Sequence, residues 1–456
     1  MVTAAFPRLL VAAPASGSGK TTVTCALLRA LARRGLRAAS FKCGPDYIDP
    51  MFHRESVGAA YSANLDLFFT GENEVRALLA KGEAHADVAL IEGAMGYYDG
   101  IASSSDASAY AVSRATKTPV LLVVSCRGMA ASTAAQVKGF IGFRPDANVA
   151  AVLLNHLSST RYPELKALVE RECGVPVAGY LPPVPDCIFE SRHLGLVTAG
   201  EIAEIQKKLD LLADTLERTA DLPLLLEIAG TAPPLAYEPT CPPYVEGRPR
   251  IAVARDAAFC FYYEDALALL REMGAELLPF SPFADAGLPD GAGGLLLGGG
   301  YPELHAEALS RNEPMRRAIK AAIADGMPTI AECGGFLYLH RSLQDARGHA
   351  YPMADVFAAE GFKTGRLGRF GYVTLTARKE TLLCGAGESL RAHEFHYWDS
   401  TAPGTAFAAQ KPQSMCGWDC VHAGKTLYAG FPHLYLAGAP KAAERFLRAA
   451  ADYQRG

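Results

Sequence analysis

Along the first half of the chain, short unbroken apolar runs alternate with longer segments in which apolar residues recur every three or four positions. The runs are "LLVAAP" from residue 9, "AASF" from 38, "VALIEG" from 88, "VLLVVS" from 120 and "VAAVLLN" from 149, and "TTVTCALLRALARRG" carries the amphipathic period between the first two. Runs without internal alternation belong to parallel strands buried on both faces and joined by crossover helices. The pattern closes with the helical stretch "EIAEIQKKLDLLADTLERT" and predicts a doubly wound α/β domain over 1–228. Residues 229–250, "AGTAPPLAYEPTCPPYVEGRPR", hold six prolines, which support neither a helix nor a central strand, so 229–248 reads as a linker. A second series begins with "IAVARD", "GGLLLGGG" and "PTIAE" and ends in a strand-rich tail through "GYVTLTA" and "KTLYAGF". The expected architecture is α/β with two doubly wound domains, the second over 249–456, and no short-period repeat.

Composition narrows the function classes. At 456 residues, half of them hydrophobic, the chain is long enough for two or three domains with sizeable cores. Its formal net charge of −4 comes from 44 basic and 48 acidic residues that are interspersed, which leaves no electrostatic footprint for nucleic acid. No stretch approaches the roughly 18 uninterrupted apolar residues of a membrane span, and the N-terminus runs straight into a glycine loop, so a cytoplasmic protein with small-molecule partners is expected. Eleven cysteines lie without metal-ligand or disulfide-framework spacing, and most read as small buried hydrophobes.

Two stretches carry candidate chemistry. In "LLVAAPASGSGKTT" a strand feeds a small-residue loop that opens a helix, the context of a phosphate-binding loop. Ser16, Gly17, Ser18, Gly19, Lys20, Thr21 and Thr22 are the candidate ATP-binding residues: backbone N–H groups and the helix N-terminus cradle phosphates, Lys20 adds a point charge and Thr21 a hydroxyl for Mg2+. Pro14 stands where the first glycine of the usual motif falls. Such a site needs a carboxylate for the metal. Glu92 at the end of "VALIEG" is the first candidate and Asp46 in "FKCGPDYIDP" the second, with Asp49 and Asp99 behind them. Each acid could instead cap a turn.

In "TIAECGGFLYL" Cys333 ends an apolar strand and precedes Gly334, Gly335 and a helix start, the layout of a nucleophile elbow. The N–H of Gly334 can face an oxyanion, and Gly298, Gly299 and Gly300 at another strand end offer a second donor. A thiolate needs a base, and His433 in "TLYAGFPHLYL" follows a late strand, with His393 and His396 in "RAHEFHYWD" as rivals expected to share one strand face. A lone cysteine is more often packing, and the elbow with its glycine loop argues for chemistry.

Taken together, "ASGSGKTT", "FKCGPDYIDP", "NLDLF", "IEGAMGYYDG", "GGGYPE", "AECGG" and "HEFHY" resemble the cobyrinic acid a,c-diamide synthases of cobalamin biosynthesis, over nearly the whole chain. By that resemblance the N-terminal half is similar to dethiobiotin synthetase and MinD-type ATPases, and the C-terminal half to cobalamin-type class I glutamine amidotransferases. The resemblance implies Cys333 as glutaminase nucleophile, His433 as its base, Gly299, Gly300 and Gly334 as the oxyanion hole, and Thr21 with Glu92 and Asp46 holding Mg2+ at ATP. Ordinary class I glutaminases carry His-x-Glu, whereas this chain reads His433, Leu434, Tyr435, so the orienting carboxylate is missing there or comes from elsewhere.

The function expected is ATP-driven phosphorylation of a tetrapyrrole carboxylate followed by attack of ammonia released from L-glutamine. Candidate substrate contacts are Lys42, Tyr47, Asp49, Asp99, Arg192 and Arg366, with Lys363 and Arg369 nearby in sequence. Expected partners are the tetrapyrrole acid and glutamine, with no nucleic acid and no membrane, and a homodimer as the oligomer to test. The same chemistry on hydrogenobyrinic acid or nickel-sirohydrochlorin is an open alternative. A MinD-like switch ATPase is a weaker one, since such proteins lack a cysteine-elbow domain.

Overall fold

Seven strands of the first half, the five apolar runs among them, form one parallel sheet, in the spatial order Tyr61–Leu65, Ala38–Cys43, Val88–Glu92, Arg8–Ala12, Val120–Ser125, Val149–Asn155 and Val177–Leu181. The computed structural model describes residues 1–187 and 199–456, which divide into two units, Met1–Thr240 and Cys241–Gly456. Arg192 lies outside the described residues. In the first unit side chains alternate across the sheet: Leu9 and Val11 join a core with Leu27, Leu31, Leu212 and Leu216, while Leu10 and Ala12 join one with Leu79, Val112, Val137 and Val169. Helices therefore cover both faces, which explains why strands such as Val120–Ser125 and Val149–Asn155 read as near-continuous apolar runs.

The Pro-rich segment differs from the expected linker. Leu235–Tyr237 pairs antiparallel with Val2–Ala4, and the division between units falls after Thr240, so the first part of 229–248 is folded into the N-terminal unit. A two-stranded edge ribbon tolerates prolines at its ends because its outer backbone groups need no ladder partner. The fully buried guanidinium of Arg8 ties this return segment down, donating to the carbonyls of Phe6, Thr116 and Pro233 at 2.7–3.2 Å.

In the second unit Glu276–Phe280, Arg250–Ala254, Gly294–Leu297, Thr329–Glu332 and Leu427–Gly430 form a parallel sheet with the short antiparallel strand His422–Ala423 at its edge. The strand-rich tail supplies two further sheets. In one of them Phe370–Ala377, Ser389–Phe395 and His433–Leu434 run antiparallel, with Val373, Leu375 and Ala377 buried and the residues between them half-buried. That alternation is the mark of a sheet with one covered face. Among the described residues no helix is long and apolar enough to cross a membrane.

Removing the Arg8 side chain would leave three carbonyls without their donor. Arg8→Ala is expected to lower the unfolding free energy of the N-terminal unit by about 3 kcal/mol, read from urea unfolding. A change below about 0.5 kcal/mol would contradict this account of the ribbon.

Candidate active site

Cys333 sits between the strand Thr329–Glu332 and the helical turn Gly334–Tyr338, with φ 47° and ψ −99°, in the left-handed half of backbone space that β-branched and bulky residues avoid. Its N–H donates to Gly430 O at 2.8 Å, which pins the turn to the neighbouring strand. The glycines around it are required by space. A Cβ on Gly335 would lie 2.2 Å from Leu297 O, and one on Gly334 would lie 3.0 Å from Gly300 N. The N–H of Gly334 starts the helical turn and has no acceptor four residues back, so it stays available beside Gly300. Gly298 N–H donates to the Tyr262 hydroxyl at 2.9 Å, and that hydroxyl donates to Ala254 O, fixing the glycine loop.

His433 is the imidazole brought to this sulfur. It is buried and bonded to Cys333, and a Cβ on Gly299 would stand 2.4 Å from its Cε1. Its Nδ1 lies 3.7 Å from Glu332 Oε2. Burial works against a charged ring, yet Cys333 and Glu332 outweigh it and hold the imidazole pKa up to about 10. A protonated ring beside the sulfur is the counter-ion a thiolate needs. The rivals are placed differently. His393 pairs with His433 across the strands, and burial together with the His433 and Lys411 charges pushes its pKa down to about 3, which makes it a poor base. His396 does not share its face: the strand ends at Phe395, and the His396 ring turns to stack on Phe431 at 3.9 Å and to meet Glu394 at 2.9 Å.

In the N-terminal unit the loop after Arg8–Ala12 enters the helix Lys20–Arg33 through Gly17 at φ 77° and Gly19 at φ 95°, backbone that glycine adopts without penalty. Asn155 closes the loop from the side, donating to Ser18 O at 2.8 Å. Lys20 bonds to the carbonyls of Ala15 and Met95, and burial and the nearby Lys42 lower its pKa to about 8. Thr21 Oγ1 donates to Glu92 Oε1 at 2.6 Å, and Lys42 Nζ meets the same oxygen at 2.8 Å. Glu92 is fully buried, and its Oε2 has no hydrogen-bond partner, facing His53 Nε2 at 3.5 Å. Burial raises the Glu92 carboxyl above its usual range against the pull of Lys42. Lys42 itself is held charged despite burial by Glu92, Asp49 and Asp46. A hydroxyl and a carboxylate in contact, with one buried oxygen to spare, suit a cation that keeps most of its water and takes few protein ligands. Among the described residues no three His, Cys, Asp or Glu side chains cluster as a metal cage.

The other predicted residues scatter by role. Asp49 bonds Lys42, whereas Asp46 Oδ1 accepts from the N–H groups of Ile48 and Asp49, the work of a turn cap, with its Oδ2 3.9 Å from Lys42. Tyr47 precedes the short helix Ile48–Phe52, and Thr22 stands in the first turn of Lys20–Arg33. Asp99 accepts from Gly96 N–H at 3.0 Å and lines an open groove of about 1130 Å³ with Tyr98, Arg114, Phe143 and Arg144. Arg366 is exposed on the loop after Phe357–Lys363, while Lys363 donates to Ala346 O and Arg369 stacks over Trp418. Glu332, Tyr262, His53 and Asn155 went unnoticed in the sequence. Glu332 borders the elbow as an acid at the end of a buried strand, a signal that does not by itself say what it faces.

Gly299→Ala should push the His433 ring away from Cys333 and slow alkylation of that thiol by iodoacetamide at pH 7 by about tenfold or more, followed by mass spectrometry. An unchanged rate would mean that the imidazole does not govern the sulfur.

Two family models match this chain: a CobQ/CobB/MinD/ParA nucleotide binding domain over residues 9–195 and a CobB/CobQ-like glutamine amidotransferase domain over residues 250–440. Curated relatives match along most or nearly all of their length. The cobyrinate a,c-diamide synthase of Caldanaerobacter subterraneus subsp. tengcongensis is 38% identical over 449 residues, covering 98% of this chain and 99% of the relative. That of Salmonella typhimurium is 38% identical over 453 residues, covering 97% of each, and that of Listeria innocua is 42% identical over 394 residues, covering 86% of each. With a phosphate loop in one unit, a cysteine elbow in the other and near-complete alignment to these relatives, the chain belongs to the cobyrinate a,c-diamide synthase family.

Proposed function

We propose that the protein catalyses the ATP- and glutamine-dependent amidation of the a and c acetate carboxylates of cobyrinic acid. The observation that carries this reading is the pairing of Cys333 with His433 in the same chain as a phosphate loop whose Thr21 bonds Glu92. A hydrolase needs only the first constellation and a switch ATPase only the second. An amidating ligase needs both.

The chemistry follows from the groups in place. Cys333 sulfur attacks the glutamine carboxamide carbon, the oxyanion forms against the N–H of Gly334 and the glycine loop, and His433 gives its proton to the departing ammonia. Water then cleaves the thioester to glutamate. At the other site the substrate carboxylate oxygen attacks the γ-phosphorus of ATP, releasing ADP and leaving an acyl phosphate. Ammonia attacks the acyl carbon, phosphate departs and the amide remains. Lys20 and the loop N–H groups hold the phosphates, and Lys42, paired with Asp49 and Glu92, braces the carboxylate that Thr21 also meets. Thr21 and Glu92 would hold Mg2+, which when bound offsets phosphate charge. A cytoplasmic location suits an enzyme that draws on ATP and glutamine.

Cys333→Ser is expected to abolish glutamine-dependent amidation and to keep amidation with high ammonium at raised pH, since a serine hydroxyl is a far weaker nucleophile than a thiolate. Lys20→Ala should lose turnover with either nitrogen source. Glutamine-dependent turnover surviving in the Cys333→Ser protein would overturn the reading. Glu92→Gln should raise the Mg2+ concentration needed for phosphate release by tenfold or more and leave glutamine hydrolysis within about threefold, both read by coupled assays. Equal losses in the two activities would place Glu92 elsewhere in the chemistry. Running the acceptor assay with cobyrinic acid, hydrogenobyrinic acid and nickel-sirohydrochlorin separates the substrates, because ATP turnover should depend on the right acid.

A further inference from the structure

The residue two places after a glutaminase histidine ordinarily supplies the acid that orients it, and here that position is Tyr435. The structure gives Tyr435 other employment. Its hydroxyl bonds the Asp265 carboxylate and its ring packs edge-on against Tyr263, with centroids 4.9 Å apart. Asp265 is thereby committed to the tyrosine. The acid that reaches His433 is the last residue of the strand that delivers the nucleophile.

We propose that Glu332 is the positioning carboxylate of the Cys333–His433 pair, fixing the ring with its proton on Nδ1 and supporting its charged form. Four observations meet at this side chain. Glu332 is paired with Gly430 across the parallel sheet, three residues before His433, which places the two at neighbouring strand ends. Its Oε1 accepts from Leu434 N–H at 3.0 Å, which anchors the residue after the histidine. Its Oε2 stands 3.7 Å from His433 Nδ1, within ion-pair range though longer than a hydrogen bond. Both side chains are nearly out of water, 10% and 3% exposed, so screening is weak and the charge of one is felt by the other. A proton on Nδ1 directed at Glu332 leaves Nε2 to serve the sulfur, the division of labour that an orienting acid enforces in nucleophile–histidine pairs. Glu332 and Cys333 are adjacent in the chain and both interact with the His433 ring. Glu332 does not touch the reacting atoms, and its role is to position and to polarise.

This inference rests on the glutaminase reading, and the test keeps the two apart. Glu332→Gln retains an oxygen that can accept from Leu434 N–H and removes only the charge, whereas Glu332→Ala removes both. Glutamine hydrolysis and the pH profile of Cys333 alkylation by iodoacetamide are measured for each full-length protein, with circular dichroism checking the fold. The expected result is a fall of about 100-fold in kcat for both variants with KM within about threefold. Losing the carboxylate removes a support of the His433 imidazolium, so alkylation of Cys333 at pH 7 should slow by about tenfold in Glu332→Gln. If Glu332→Gln keeps the native kcat and alkylation profile while Glu332→Ala loses both, the carboxylate only anchors a strand and the proposal fails. Failure of the unaltered protein to hydrolyse glutamine would strike the glutaminase reading instead, and the alkylation profile would still decide whether Glu332 governs the pair.

Discussion

Parallel strands covered on both faces leave one place for polar chemistry, the loops past their carboxyl ends, and both units of this protein obey that constraint. In the N-terminal unit Arg8–Ala12 ends in the phosphate loop, Ala38–Cys43 carries Lys42 at its penultimate position, and Val88–Glu92 ends on Glu92 itself. The C-terminal unit repeats the arrangement with other side chains. Thr329–Glu332 ends on Glu332 and delivers Cys333, Gly294–Leu297 delivers the three glycines, and Leu427–Gly430 leads to His433. Because the sheets fix these ends at strand spacing, a sulfur, an imidazole and a carboxylate meet without a long loop to hold them.

What this arrangement costs is buried charge and a strained turn. Lys42 is almost out of water, and a single buried ion without a partner costs several kcal/mol. Contacts to Glu92 and Asp49 offset that cost, and the same network leaves Glu92 bonded to Thr21 where a phosphate-bound cation would be gripped. In the other unit the His433 charge is balanced by Glu332 and Cys333. Backbone strain at Cys333, of order 1–3 kcal/mol for such conformations, is held by the N–H bond to Gly430 O and by glycines that let the strand ends close. Neither Gly299 nor Gly335 could take one methyl group without moving backbone or ring.

The doubly wound sheets were legible because an apolar run of five or six residues between amphipathic segments fits a buried strand and little else. The phosphate loop was legible because glycines, lysine and threonine stand at fixed offsets. Three things were not. The return strand Leu235–Tyr237 hides among prolines, since an edge ribbon makes no demand on residue type that a short window reveals. His393 and His396 were expected to share a face, but they stand three positions apart, an odd offset that alternation sends to opposite faces, and the strand in any case ends at Phe395. Glu332 was passed over because a periodic reading treats the last residue of a buried strand as core, and only the register against Leu427–Gly430 shows which residues lie across from it. Asp46 illustrates the reverse. Its position in a conspicuous motif invites a ligand role, and the structure shows its Oδ1 bonded to two backbone N–H groups.

That two chemistries in one chain are coupled through an acyl phosphate can be tested by following oxygen. If the tetrapyrrole acid is labelled with oxygen-18 in its acetate carboxylates and turned over with ATP and glutamine, each amide formed should send one labelled oxygen into inorganic phosphate, seen by the phosphorus-31 isotope shift. Amide formed with unlabelled phosphate would contradict the account, because the carboxylate oxygen would then never have been bonded to phosphorus.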